Sequence, residues 1–538
     1  MKSIRRDSGG LAADPAKTAS IAPGKADLIL HEGIVLGHPG SDSVAIAGGR
    51  IAAHGKFSGL KALVGPRTFM LKLAGRTVAP GFIDSHLHFL EAAAAATGIS
   101  VQRCHNVADL LAELRLATGR VPPGNWLRAF GCDETLLFER RGPTRAELDE
   151  ALPKNPLRLR HQTLHASWLN SRAITLLGLE SADFKPPSSA AIIQRDGNGR
   201  LTGLVAGMEA WLTSRLPPVT HAEAESRARV MSRELAAAGV TAFTDATARN
   251  SSAEVGLFAK LAQAGAICQR LKVMIGERHI GSADEADALA QAAGIELAGV
   301  KFIPGQGRDQ NEISHHTGLA MERGLDCAFH ATEVEELEQA LTAAEAARAN
   351  ASGSRGNPRF RIEHGGVIPP DDIARLAALQ AWVVTNPGFI HFRGPKYASE
   401  PGLLAHLYRA RSLKTAGINL AGATDAPVTP ARPLAAIAAA ISRASFDGEL
   451  LGREEALPVA DAVGLFTVEA ARLARLEAGA IEPGLLADLI VLPRDPYQLN
   501  AAELMNMIVD ITIVGGRVVY EHGRPALANS DTAELRNV

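Results

Sequence analysis

The stretch APGFIDSHLHF, residues 79–89, contains a short apolar run that ends in two histidines separated by one leucine. The run GFID is typical of a buried strand, in which alternate side chains point to the same face. His86 and His88 can therefore bind one metal ion together, because imidazole is the commonest side-chain ligand for zinc-like metals. The pair alone is equally typical of surface or packed histidines. Its place at the end of an apolar strand favours a metal site.

Downstream of this pair, short apolar strands alternate with helical segments rich in Ala and Leu. Helical periodicity is clear in EVEELEQALTAAEAARA (333–349) and DDIARLAAL (371–379). Eight strands with helical connections predict an α/β fold of the (β/α)8 TIM-barrel type, with its active site at the carboxyl ends of the strands. The candidate strands are GFID (81–84), VTAFTDA (240–246), LKVMIGE (271–277), AGVKFI (298–303), DCAFHA (326–331), RFRIEHGG (359–366), AWVVTN (381–386) and INLAGATDA (418–426).

The two ends of the chain differ from the middle, because their aliphatic runs are short, β-like and interrupted by glycine. We therefore predict one small composite β-sandwich domain, built from residues 26–79 and 480–538. Residues 80–479 form the barrel in this interpretation.

Two further segments lie outside this simple pattern. The connection from Phe89 to about Ala237 is too long for one helix, so we expect an inserted subdomain at about 95–215, after the first barrel strand. Residues 1–25 lack the apolar stretch of a secretory signal and are predicted to be a disordered leader.

The composition excludes several classes of function. The 538 residues include 56 basic and 58 acidic ones, without a basic stripe, which argues against nucleic acid or an anionic membrane as the main partner. No run of 18 apolar residues is present to span a bilayer. The four cysteines form no CxxC pair, which is typical of a reducing compartment. We therefore expect a soluble cytoplasmic protein that acts on a small molecule.

Polar residues at the carboxyl ends of the later strands are candidates for the active site. Each has a structural alternative, since a histidine can be a satisfied core residue and an aspartate can cap the helix that follows it. Asp245, at the end of the second strand, is either a support for the metal ligands or a turn residue. Metal-ligand chemistry at five strand ends of one barrel favours a common site. The four later candidates are Lys301, His330, His364 and Asp425, on the fourth, fifth, sixth and eighth strands.

Lys301 is unusual because it lies within an aliphatic strand, where a lysine is almost never buried without a partner. One interpretation is that its amine reaches solvent at the strand end or pairs with a carboxylate. The other is that burial lowers the pKa of the amine, and the neutral amine reacts with CO₂. The resulting carbamate has two oxygens that can bridge two metal ions, so this interpretation predicts a two-metal site.

The motifs together resemble those of the urease-related amidohydrolase superfamily. The resemblance includes PGFIDSHLH, the lysine, two histidines and aspartate of the later strands, GLLADLIVL and the terminal VGGRVVY. Within the superfamily the chain is similar to the amidohydrolase 3 group, which includes the YtcJ-like proteins and N-substituted formamide deformylase. The stretches PTRAELDEALPKNPLRL, HASWLNSRAI, VTAFTDA and LAGATDAPVTPARPL carry this similarity, which covers nearly all of the chain after residue 26. Two stretches, AGVKFIPGQG and FGCDETLLFERRG, depart from the pattern of the group. These departures affect the expected substrate more than the expected metal site.

The resemblance implies a hydrolase with two divalent metal ions, zinc first and iron or manganese as alternatives. A hydroxide between the metals would attack the carbonyl, and Asp425 would act as general base and then as general acid toward the leaving nitrogen. A homodimer is compatible with the superfamily. The implied ligands are His86, His88 and Asp425 for one metal, His330 and His364 for the other, and a CO₂-derived carbamate on Lys301 as the bridge.

Contacts to the substrate are less constrained. His165 and Asn170 lie in HASWLNS, a motif that often faces the pocket in this group, although a helix start explains it equally well. His391 and Arg393 follow the seventh strand, where they bind a polar or anionic substrate group or belong to a solvated loop. Trp126 lines an apolar pocket or belongs to the core of the inserted subdomain.

Three functions remain open on this evidence. The first is hydrolysis of an amide-like C–N bond in an N-acyl or N-formyl amine or a carbamate. The second is ester hydrolysis or deamination on the same scaffold, although many mononuclear deaminases of the superfamily lack the lysine of the fourth strand. The third is a non-enzymatic binding protein, which predicts a missing ligand, and none is missing here.

Overall fold

The computed structural model describes residues 24–187, 191–350, 357–399 and 401–524. The predicted leader, residues 1–25, lies outside these ranges except for its last two residues, and so do residues 525–538 of the predicted sandwich domain. None of the helices in these ranges is long and apolar enough to cross a membrane.

The described chain begins with short strands joined by tight turns. Gly48 and Gly49 form the two-residue loop between the third and fourth strands, and both have positive φ, which glycine adopts without steric cost. The elements are β1 (Leu28–His31), β2 (Ile34–Val35), β3 (Ser43–Ala47), β4 (Arg50–Gly55), α1 (Phe57–Leu60), β5 (Phe69–Lys72) and β6 (Thr77–Pro80).

The first barrel strand, β7 (Phe82–Leu87), is buried along its whole length and leads into the long segment predicted to be inserted. This segment contains a separate six-stranded sheet with its own hydrophobic cluster, which includes Leu110, Leu148 and Leu159. Its elements are α2 (Phe89–Thr97), β8 (Ile99–Ser100), α3 (Val107–Ala117), β9 (Leu127–Cys132), α4 (Arg145–Ala151), β10 (Leu157–His161), β11 (Ala166–Leu169), α5 (Ser171–Leu177), β12 (Ile192–Arg195), β13 (Leu201–Ala206) and α6 (Glu209–Arg215).

The remaining barrel elements follow as alternating helices and strands. Several helices begin at capping residues; Ser251 and Glu254, for example, form a capping box at the start of the second one. The elements are α7 (His221–Ala237), β14 (Val240–Asp245), α8 (Ser252–Gln263), β15 (Arg270–Gly276), α9 (Ala283–Ala292), β16 (Glu296–Phe302), α10 (Gln310–Glu322), β17 (Cys327–Ala331), α11 (Val334–Ala349), β18 (Phe360–His364), α12 (Pro370–Ala378), β19 (Trp382–Thr385), α13 (Gly388–Phe392), α14 (Gly394–Ala398), α15 (Pro401–Leu404), α16 (Ala410–Thr415), β20 (Asn419–Gly422), α17 (Pro433–Ser442), α18 (Val459–Leu465) and α19 (Val468–Ala474).

The eight predicted barrel strands are all present and form one parallel sheet, in the order β7-β14-β15-β16-β17-β18-β19-β20. The two ends of the sheet approach each other: the Asp425 N–H donates to the His86 carbonyl at 2.9 Å, and the His88 N–H donates to the Ala426 carbonyl at 2.8 Å. The sheet is therefore nearly closed, which confirms the predicted α/β barrel. This closure brings the loop after β20 against the histidine pair of β7.

The chain ends in β21 (Leu489–Leu492), α20 (Ala501–Met505), β22 (Ile511–Val514) and β23 (Arg517–Glu521). These strands join β2 and β6 in a five-stranded sheet, while β4, β3, β1 and β5 form a four-stranded sheet. Side chains of both sheets meet in one hydrophobic cluster, which includes Leu30, Ile46, Val491 and Ile513. The first and last described strands are thus packed together outside the barrel.

Candidate metal centre

The histidine pair lies at the carboxyl end of β7 with both outer nitrogens aimed at one place. His86 is buried, and its Nδ1–H donates to the Glu363 carboxylate at 2.5 Å. The His88 Nδ1 lies 2.9 Å from the Thr247 hydroxyl. Burial and the charge of Lys301 lower the pKa of His86 to about 3, so its ring is neutral. Because a carboxylate only accepts, the proton of His86 is on Nδ1 and Nε2 keeps its lone pair.

Asp425 completes this set of donors from the loop after β20. Its Oδ1 lies 3.4 Å from the His86 Nε2 and 3.1 Å from the His88 Nε2. The His86 Nε2 is buried without a hydrogen-bond partner among the described residues. Ligand atoms of a tetrahedral site with bonds of about 2.0–2.1 Å stand roughly 3.3 Å apart. The three residues therefore fit a metal ion.

The carboxyl group of Asp425 is ionised at neutral pH. Burial raises the pKa of this group, but the hydrogen bond from His88 and the charges of the neighbouring histidines outweigh burial. The pKa of Asp425 therefore lies well below its usual range, as a metal ligand requires.

A second pair of imidazoles converges at the ends of β17 and β18. The His364 Nε2 lies 3.0 Å from the His330 Nδ1. The His364 Nδ1 faces the Asn386 Oδ1 at 2.9 Å, and the amide of Asn386 is oriented by its own donation to the Ala423 carbonyl. The His364 Nδ1 therefore carries the proton and its Nε2 offers a lone pair. Burial lowers the pKa of both histidines, so both are neutral.

Lys301 lies at the end of β16, in register with Gly276 and Ala328 of the neighbouring strands. Its side chain is 1% exposed, and its Nζ has no hydrogen-bond partner among the described residues. Burial lowers the pKa of the amine to about 8. The snorkelling and ion-pair alternatives are therefore not observed, and a buried amine without a partner fits conversion to a carbamate.

Two of these residues have a strained backbone. His364 has φ of 70° and Asp425 has φ of 59°, in the left-handed region that residues other than glycine seldom adopt. Such strain costs on the order of 1–3 kcal/mol and persists only where the surroundings hold the residue in place. Its occurrence at two candidate ligands is typical of a functional site.

Comparison with known proteins is consistent with this geometry. A model described as the amidohydrolase family matches residues 71–520. The chain belongs to the amidohydrolase family. The resemblance inferred from the sequence is therefore confirmed, and the protein is a hydrolase that acts on carbon–nitrogen bonds.

Relatives of this amidohydrolase match it nearly end to end. It is 28% identical to the N-substituted formamide deformylase of Arthrobacter pascens, over 89% of this chain and 95% of the relative. It is 24% identical to the putative amidohydrolase YtcJ of Bacillus subtilis, over 89% and 96% of the two chains. The fold is similar to that of an uncharacterised metal-dependent hydrolase from Pyrococcus horikoshii, with a TM-score of 0.68, 20% identity and coverage of 88% and 99%.

Several residues that support the candidate ligands of the amidohydrolase were missed in the sequence. Glu363 is fully buried, and Arg361 holds it with Nε at 2.7 Å from Oε1. Arg361 also donates to the Ser85 carbonyl at 2.9 Å, next to His86 in the chain. Two opposite charges two residues apart on a buried strand were an available signal, because they share one face. Thr247 and Asn386 had no comparable signal.

Asp245 is one of the supports rather than a ligand. Its Oδ2 accepts from the Phe89 N–H at 2.7 Å, and its Oδ1 accepts from the Thr247 N–H at 3.1 Å and the Asn250 amide at 2.8 Å. It therefore fixes the start of α2 and the loop that carries Thr247. From the sequence, Asp245 is expected to be either a support for the metal ligands or a turn residue. Its contacts with the start of α2 and with the loop that carries Thr247 fit both roles.

Among the candidate substrate contacts, the structure brings His165 to the metal centre of the amidohydrolase. Its exposed ring lies 6.3 Å from the ring of His330. Arg393 is buried and pairs with Asp133 at 3.4 Å, and the His391 Nδ1 lies 3.2 Å from the Ala444 carbonyl. His391 and Arg393 stay predictions.

The contacts of Asn170 and Trp126 favour structural roles, a helix cap for Asn170 and core packing for Trp126. The Asn170 side chain caps α5 by accepting from the Ala173 N–H, accepts from the Leu157 N–H, and donates to the Asn155 carbonyl at 2.9 Å. The polar atoms of Asn170 are thus engaged within the inserted segment, and its contact with a substrate stays a prediction. Trp126 packs against the apolar cluster around Leu169, within the inserted segment.

A second group of potential ligands, Asp133, Glu134 and His161, does not fit a metal as well. The His161 Nδ1 accepts from the Thr163 N–H at 2.9 Å, so the ring proton is on Nε2. That Nε2 faces Glu134 at 3.1 Å as a donor. The group is therefore held by its own contacts, a hydrogen bond between His161 and Glu134 and an ion pair between Asp133 and Arg393.

We expect Glu363→Gln to weaken zinc affinity by about 10–100-fold, because the carboxylate fixes the ring orientation and basicity of His86. Competition with a fluorescent zinc chelator measures the change. Glu455→Gln is the matched control, since Glu455 is a buried carboxylate held by Ser412, away from the metal centre. Equal zinc affinities for the Glu363 variant and the unmodified chain would show that this contact does not tune the site.

Proposed function

We propose that this amidohydrolase cleaves the C–N bond of a small amide-like substrate, an N-acyl or N-formyl amine or a carbamate, with two divalent metal ions. The observation that carries the proposal is the convergence of four imidazoles and the Asp425 carboxylate beside a buried amine that has no described partner. A purely structural network would not leave the His86 Nε2 and the Lys301 Nζ unpaired, because a buried polar atom without a partner is costly.

The two metal ions would be held by the residues that the strand ends bring together. Imidazole nitrogens and carboxylate oxygens suit zinc first, and iron or manganese as alternatives. When bound, the metals supply Lewis acidity that polarises the carbonyl of the substrate and lowers the pKa of water. His86, His88 and Asp425 would hold one ion, His330 and His364 the other, and a carbamate on Lys301 would bridge them.

The carbamate forms when the Lys301 Nζ bonds to the carbon of CO₂ and releases one proton, so the reaction needs the neutral amine. The pKa of about 8 supports this step, because a sizeable neutral fraction exists near neutral pH. The absence of a described hydrogen-bond partner also supports it, since no carboxylate competes for the amine.

Asp425 would move the proton in the reaction. Its carboxylate is ionised, and Oδ1 lies 3.4 Å from the His86 Nε2 and 3.1 Å from the His88 Nε2. It can accept a proton from the attacking water and deliver that proton to the leaving nitrogen. The leaving group departs as a neutral amine, and the acyl or formyl carbon retains the oxygen of water.

N-formyl and N-acyl amines come first among the candidate substrates. The relative from Arthrobacter pascens is named an N-substituted formamide deformylase and matches nearly the whole chain. His165 is exposed and its ring lies 6.3 Å from that of His330, so it can contact a substrate that approaches the metal centre.

We further propose the domain organisation and compartment inferred from the sequence. The shared hydrophobic cluster of the two outer sheets supports one composite β-sandwich from residues 26–79 and 480–538. The separate sheet and cluster after β7 support an inserted subdomain at about 95–215, within a barrel of residues 80–479. All four cysteines are free, which supports the reducing environment of the cytoplasm.

A panel of N-formyl amines, N-acyl amines, carbamates and esters tests the substrate class. We expect the highest kcat/KM with amide-like substrates. With the best of these substrates and at saturating zinc, Asp425→Asn should lower kcat by about 10²–10⁴-fold. Asp326→Asn is the matched control, because Asp326 is a buried aspartate that pairs with Arg475 away from the site. Turnover of the esters alone would overturn the C–N assignment.

We expect Lys301→Ala to bind fewer than two zinc ions per chain and to lose most activity, because the bridging carbamate cannot form. Elemental analysis of purified protein measures the zinc content. Lys272→Ala is the matched control, since Lys272 is also buried in a barrel strand but pairs with Glu296 at 2.5 Å. A Lys301 variant with two zinc ions and full activity would contradict the carbamate assignment.

A further inference from the structure

The loop after β20 holds Asp425 in its left-handed conformation, and two sides of the molecule restrain this loop. On the barrel side, Asp84 accepts from the Thr424 N–H at 3.0 Å and from the Thr424 hydroxyl at 2.5 Å. The backbone of β7 adds the two bonds that close the sheet, at Asp425 and Ala426. The first half of the loop is thus fixed to the barrel.

The second half of the loop is held from the inserted segment. The Gln162 Nε2 donates to the Pro427 carbonyl at 2.7 Å and to the Val428 carbonyl at 2.6 Å. Gln162 is buried and follows β10. Its Oε1 accepts from the Gln102 Nε2 at 3.0 Å, which orients the amide so that both of its N–H groups face the loop.

These contacts continue to Asp425 through the backbone. The Val428 N–H donates to the Asp425 carbonyl at 2.8 Å. A shift of Val428 therefore moves the peptide group that contains this carbonyl. Within the described ranges, Gln162 and Gln102 are the residues of the inserted segment that hydrogen-bond this loop. Without them the carbonyls of Pro427 and Val428 lose their described donors from outside the loop.

We propose that Gln162 is a positioning residue that keeps the Asp425 carboxylate aimed at the Nε2 atoms of His86 and His88. The inserted segment thereby becomes part of the metal centre, although it contributes no ligand. This inference rests on the proposed role of Asp425. A residue other than glycine keeps a left-handed backbone conformation only where several surrounding contacts hold it. Loss of the Gln162 contacts lets the backbone relax and moves Oδ1 away from the two imidazoles.

Gln162→Leu tests the inference, because leucine has a similar volume and no donor. Gln269→Leu is the matched control: Gln269 is also buried and donates to a backbone carbonyl, that of Ser232 at 2.8 Å, before β15 begins. Competition with a fluorescent chelator should show zinc affinity at one site reduced about 10-fold or more in Gln162→Leu and unchanged in Gln269→Leu. Thermal denaturation should show a similar loss of stability in both variants.

Kinetics at saturating zinc separate positioning from binding of the substrate. We expect kcat of Gln162→Leu to fall about 10-fold while KM stays within about 3-fold of the unmodified chain. Gln102→Leu keeps Gln162 but removes the hydrogen bond that orients its amide. This variant should show smaller losses of zinc affinity and of kcat, and it provides the test if Gln162→Leu does not fold.

Unchanged zinc affinity in a folded Gln162→Leu protein would overturn the inference, and so would unchanged affinity in Gln102→Leu if the first variant is insoluble. Failure of the unmodified chain to hydrolyse any C–N substrate would instead count against the proposed function. The chelator competition uses zinc alone, so it decides on Gln162 in that case as well.

Discussion

The His86 Nε2 and the Lys301 Nζ are buried near the Asp425 carboxylate, and neither nitrogen has a hydrogen-bond partner among the described residues. Burying polar atoms in this way costs free energy unless another group satisfies them. A bound cation would satisfy these atoms, and the other features of the site are consistent with this constraint. The barrel brings these side chains together because the carboxyl ends of its parallel strands lie at one rim.

The surroundings of the centre fix proton positions rather than charges alone. Glu363 and Asn386 accept from the Nδ1 of His86 and His364, which leaves the outer nitrogens unprotonated. The Arg361 guanidinium keeps Glu363 ionised in turn, and the pKa of that carboxyl is held well below its usual range despite burial. Proton positions are thereby set before any metal binds, which reduces the cost of assembling the site.

Much of this could be predicted from the sequence. All eight barrel strands were located by their apolar runs, and the candidate ligands stand where those strands end. Strand periodicity and strand ends are local properties, so one sequence is sufficient for them. The same local reasoning offered a helix start for Asn170, and the capping contacts favour that interpretation.

Other features depend on contacts between distant parts of the chain, which no local pattern encodes. Gln162 meets Val428 across more than 260 residues, and nothing near Gln162 in the sequence marks that contact. Glu363 and His86 are likewise paired only by closure of the barrel. The positive φ of His364 and Asp425 could not be foreseen either, because propensity disfavours it and tertiary contacts impose it.

The central claim is that one barrel rim holds two metal ions bridged through Lys301. Anomalous diffraction at the zinc edge, from crystals grown with zinc and bicarbonate, measures it directly. The account predicts two peaks about 3.5–4 Å apart, one at His86, His88 and Asp425 and one at His330 and His364, with planar density extending from the Lys301 Nζ. A single peak beside an unmodified lysine would contradict it.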